Sequence, residues 1–137
     1  MINEFAALIR PGLRELKGIK AACSIVFDGI YYGMRLTKAT FFLPLRDNDG
    51  RDLALEISEV EDECFLRFGA WTLSGYFKGV WRMKTGEQRI DVSAAYMVVL
   101  PEGQVLDLED ILRRFKERTT QESIYLEIEH EVDVRLI

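Results

Sequence analysis

VWRMKTGEQRI, residues 80 to 90, sets Thr85-Gly86 between two β-like runs. A dipeptide ending in glycine at such a place signals a hairpin, because glycine tolerates the positive φ of a tight turn. Asp28-Gly29 and Ser74-Gly75 sit in the same way, Asp49-Gly50 marks a further break, and Glu61-Asp62 is a polar link between two apolar runs. The spacing predicts strands over 20–27, 30–44, 52–60, 63–73, 76–84 and 87–100. Short links force antiparallel neighbours, so these strands read as a meander. FDGIYYGM (27–34) and LSGYFKGV (73–80) each carry a second glycine, Gly33 or Gly79, inside the outgoing run, where a bulge or bend is permitted. The sheet is therefore expected to curve.

Outward from the meander, Phe5, Leu8, Ile9, Leu13 and Leu16 recur at helical spacing behind Asn3, with Pro11 as a kink and Gly18 as a stop. A second helix is expected from Asp107, with Leu108, Ile111, Leu112 and Phe115 on its apolar face and Arg113, Arg114, Lys116 and Arg118 toward its end, where the helix dipole favours cations. A last strand follows over 124–136. The expected fold is α+β: a curved, partly closed antiparallel sheet of six or seven strands, with an N-terminal helix and a second helix before the last strand, in one domain over 1–137.

The 137 residues are enough for one core, and 48% apolar with 30% charged residues is the composition of a globular protein. No apolar run approaches the roughly 20 residues of a membrane helix, and the start of the chain lacks a secretory pattern. Cys23 and Cys64 lie in apolar runs, as reduced core thiols of a cytoplasmic protein would. A net charge of −5 gives no footprint for nucleic acid, and the basic run 113–118 belongs to the end of a helix.

LEIEHEVDV (126–134) sets an acidic or apolar residue at every step around a single histidine. Strand alternation puts His130 with Ile128 and Val132 on one, buried face and Glu127, Glu129, Glu131 and Asp133 on the other. With one histidine in the chain no two-histidine metal site can form, and carboxylates two apart on a strand are too spread for a cage without help from neighbours. Leu45 to Glu56 puts Asp47, Asp49, Gly50 and Glu56 at calcium-loop spacing, but a leucine stands at the first position and β-like flanks replace the required helices. Lys84-Thr85-Gly86 lacks the Ser-x-x-Lys element that would make it a catalytic motif, and no phosphate-binding glycine loop or nucleophile elbow occurs. No cofactor or metal is expected.

These readings favour a non-catalytic protein-binding or inhibitory module that offers Glu127, Glu129, Glu131 and Asp133 to a basic protein partner, with no nucleic acid and no membrane involved. The alternative is a curved sheet or barrel holding a small apolar ligand among Trp71, Tyr76, Phe77, Trp81 and neighbouring aromatics, with His130 at its wall in an enzymatic variant.

Overall fold

A computed structural model describes residues 35–137. They run in the order β1 (Leu36–Pro44), α1 (Ala54–Phe68), β2 (Thr72–Arg82), β3 (Gln88–Pro101), a 3-10 turn (Glu102–Gln104), α2 (Val105–Glu117) and β4 (Leu126–Glu129). The expected N-terminal helix, the first strand and Cys23 lie outside the described residues. The strands form one antiparallel sheet in the order β2-β3-β1-β4. β3 thus inserts between the two strands that α1 connects, the split βαβ arrangement of ferredoxin-like folds.

The expected meander of six or seven strands in a partly closed sheet is wrong: the described residues form four strands in one open sheet. Residues 52–60 and 63–73, read as two strands, are largely the single helix α1. Ile57, Val60, Cys64 and Phe68 are its buried stripe, continued by the buried Leu53 just before it, and with no glycine or proline in between, Glu61-Asp62 is a polar stretch of helix surface. Asp52 accepts the Ala54 N–H at 2.7 Å, and Gly69 ends the helix at φ 82, donating its N–H to Phe65 C=O at 3.0 Å. Ser74-Gly75 is not a turn either. Pairing passes from Leu73↔Tyr96 to Gly75↔Ala95, so Ser74 is the extra residue of a bulge inside β2, beside Gly75 at φ 151. The turn at Thr85-Gly86 holds, with Lys84 included: Met83 N–H donates to Glu87 C=O and Gly86, at φ 89, to Met83 C=O, both at 2.8 Å. α2 carries the anticipated buried face of Leu108, Ile111, Leu112 and Phe115.

Both helices contribute to one core. Ala39, Phe41 and Leu43 of β1 meet Ala94, Tyr96, Val98 and Leu100 of β3 there, and Leu126 and Ile128 of β4 pack against it. Each large side chain so buried stabilises by about 1.5–3 kcal/mol. The other face of the sheet carries Lys38, Thr40, Phe42, Ser93, Phe77 and Trp81, by the strand register.

Two features tie the ends of the fold. Asp47, in the β1–α1 loop, is buried and receives hydrogen bonds from Thr120 and Gln121 in the α2–β4 loop. At the opposite end Val132 N–H donates to Leu36 C=O at 3.1 Å, and Arg35 stands 3.4 Å from Glu131.

Candidate functional site

The structure separates the residues that the last strand was expected to present together. β4 stops at Glu129, and Glu131 turns the chain at φ 57, which alternation could not foresee. Only Glu127 and Glu129 lie in the strand, opposite Thr40 and Lys38. Each acid has a neighbour: the Tyr125 hydroxyl donates to Glu127 at 2.8 Å, Lys38 is 4.0 Å from Glu129, Arg35 pairs with Glu131, and Arg135 with Asp133 at 2.9 Å. His130, expected on the buried face, has a side chain 60% exposed, with Nδ1 3.5 Å from a Glu102 oxygen. It is not part of the core, nor of the walls of the aromatic cleft described below.

The loop with calcium-loop spacing serves the fold. Asp47 accepts from Thr120 N–H at 2.8 Å, the Thr120 hydroxyl, Asn48 N–H at 2.9 Å, Gln121 Nε2 at 3.2 Å and Arg51 at 3.1 Å. Burial pushes this carboxyl up, but the bonds from the Thr120 hydroxyl and N–H, Asn48 and Gln121 outweigh it and hold it at about 2. Glu56 sits on α1 and is bound by Arg51 at 2.6 Å.

Where β1 ends, at Pro44↔Ser93, the β2–β3 hairpin continues, so Lys78–Arg82 and Gln88–Val92 reach past the sheet's centre. The register puts Tyr76, Lys78, Val80 and Arg82 on the helix-side face of β2, opposite Ala94, Val92, Ile90 and Gln88 of β3. Phe77, Gly79 and Trp81 point to the other face. Apolar side chains remain exposed on both: Tyr76 62%, Val80 56%, Phe77 51% and Trp81 42%. A Cβ on Gly79 would come within 2.8 Å of Trp81 Nε1, so the missing side chain is what lets the indole lie back along the strand.

On the face away from the helices, a cleft of ≈ 380 Å³ opens between this hairpin and the segment leading into β4. Phe42, Trp81, Tyr125, Arg82, Asp91 and Glu122 are among its walls. Phe42 stacks on Tyr125 at 4.6 Å between centroids and on Phe77 at 5.9 Å. Among the described residues no group of three or more histidine, cysteine, aspartate or glutamate side chains is placed to hold a metal ion. No described helix is long and apolar enough to cross a membrane. Cys64 is a free, buried thiol that burial, and then Glu63 and Glu61, push up to about 12.

The aromatics of the hairpin were visible in the sequence, but as lining for a concave sheet. The missing information was that they stand at an edge.

No protein-family model matches the chain, and none of the curated proteins does. Solved structures share the fold. A Bacillus cereus protein related to NIF3 superposes with a TM-score of 0.54 at 10% identity, covering 76% of this chain and 27% of that one. A phage SAM lyase in its apo state gives 0.50 at 15% identity, over 72% of this chain and 81% of that one. The chain thus spans about a quarter of the NIF3-related protein's length, and identities this low carry the fold alone.

Proposed function

We propose that the protein is a non-catalytic protein-binding module whose binding surface is the β2–β3 hairpin. The observation that carries this reading is the exposure of Tyr76, Phe77, Val80 and Trp81 on the two faces of an edge strand. Apolar side chains left exposed along an edge strand mark an interaction surface, and among the described residues no further strand pairs with the outer edge of β2. The acidic stretch Glu127–Asp133 is a secondary contact that steers a basic protein surface, weakened because each carboxylate already has a neighbour.

The test compares proteins that co-purify with the chain and with Tyr76→Ser/Val80→Ser at matched melting temperature. Loss of a defined partner in the variant is expected. Retention of every partner would remove the hairpin from the interface.

A second reading rests on the aromatic cleft beside Trp81, whose volume suits a small ligand. One protein of the same fold is a SAM lyase, so SAM is a concrete probe. Calorimetric titration showing saturable binding, lost in Phe42→Ala, would favour this reading over the module.

A further inference from the structure

We infer that the hairpin's partner is a second copy of this chain, joined antiparallel along β2 about a two-fold axis at Gly79. The inference rests on reading the hairpin as the binding surface and names what covers it.

Backbone direction fixes which residues can pair. Met83 N–H bonds to Glu87 C=O, and antiparallel ladders alternate, so Phe77, Gly79 and Trp81 turn their N–H and C=O groups toward β3. Val92 C=O bonding to Leu45 N–H, on the opposite side of β3, agrees with that phase. Tyr76, Lys78, Val80 and Arg82 therefore point their backbone groups outward from the edge. A two-fold axis at Gly79 makes these the hydrogen-bonded pairs: Tyr76 with the other copy's Arg82, and Lys78 with its Val80. Phe77 then faces Trp81 of the other copy in a non-hydrogen-bonded pair, where side chains stand closest.

Charge disfavours the neighbouring self-complementary registers centred at Lys78 and at Val80, the second of which would set Lys78 against Arg82. Centring the axis at Lys78 would set ammonium against ammonium, the cost by which edge lysines block pairing. At Gly79 no cation opposes a cation: Arg82 stands over the Tyr76 ring, a favourable cation–π geometry, and Lys78 lies beside Val80. Gly79 itself leaves room at the axis. Leu73, Tyr76, Phe77, Val80, Trp81, Ile90 and Val92 are all exposed. Together they present on the order of 600 Å² of apolar surface, an upper bound on what the pairing buries and below the roughly 800 Å² that each partner contributes to a standard interface.

Sedimentation velocity on the full chain over a hundredfold concentration range tests the proposal, with Val80→Pro as the comparison. Proline at an outward-facing edge position removes only the donor that the second copy would use. A dimer for the native chain and a monomer for Val80→Pro, with unchanged circular dichroism, is the expected result. If that variant misfolds, Tyr76→Lys, which sets lysine opposite Arg82, is expected to weaken dimerisation at least tenfold. Oxidised Phe77→Cys/Trp81→Cys should give a covalent dimer and so report the register. A native chain that is monomeric at every concentration, or a dimer indifferent to both single variants, would overturn the proposal. Should a monomeric chain still lose a co-purifying partner in Tyr76→Ser/Val80→Ser, the hairpin would bind another protein; if it loses none, the binding-surface reading fails as well.

Discussion

Replacing Asp47 with asparagine tests the tie between the two loops. The side chain is 1% exposed and accepts hydrogen bonds from Thr120, Asn48, Gln121 and Arg51. Its folded pKa of about 2 lies below the roughly 3.9 of an unfolded aspartate. A depressed carboxylate pKa contributes stability that is fully present above the unfolded value and disappears as pH falls through the folded one. The gap corresponds to about 2–3 kcal/mol at pH 7, about 1 at pH 3 and less still at pH 2. Asparagine keeps one acceptor but turns an amide N–H₂ toward Arg51, so Asp47→Asn should cost about 2–4 kcal/mol at neutral pH. Urea denaturation of both proteins at pH 7, 3 and 2 reads the difference, which should narrow as pH falls. Hydrogen exchange should quicken over 118–125 in the variant. A stability difference constant with pH, or below about 0.5 kcal/mol at pH 7, would refute the reasoning.

Cys64 should resist thiol reagents in the folded protein and react at once in denaturant, since burial holds it protonated at about 12; rapid labelling of Cys64 under native conditions would contradict its placement. His130→Leu should change stability by less than about 0.5 kcal/mol, as expected of an exposed position; a loss of 2 kcal/mol or more in a thermal melt would count against the exposed placement. Gly79→Ala should displace the Trp81 indole and shift tryptophan emission, with a stability change within about 1 kcal/mol; an unaltered spectrum would mean that the indole does not lie over Gly79. Phe115→Ala, at the centre of the α2 contact, should cost about 3–5 kcal/mol by chemical denaturation.

The parts of the fold governed by local chemistry were legible. Gly86 announced its hairpin, and the stripe from Leu108 to Phe115 announced α2. The stretch 53–68 misled because Ile57, Val60, Cys64 and Phe68 form a helical stripe only when Glu61 and Asp62 are allowed inside one element; read as a turn, those acids cut the helix into two strands. Ser74-Gly75 has the composition of a turn and the role of a bulge, and only the pairing with Tyr96 and Ala95 distinguishes the two. The strand order is a property of contacts far apart in sequence, so no window of residues states that β3 lies between β1 and β2. His130 was misplaced because β4 ends at Glu129, one residue before it, with no glycine or proline there to announce the stop. The hairpin aromatics were singled out, but whether they were lining or edge followed from the same long-range order.

The bond from Val132 to Leu36 and the Arg35–Glu131 pair bring the path into the unit and the path out of it to one corner. A polypeptide that opened one of its loops could take in this unit and resume its course across nearly the same gap, because neither end has to cross the sheet. The β2–β3 hairpin turn lies at the far end of the sheet from that corner, beside the loop that carries Asp47.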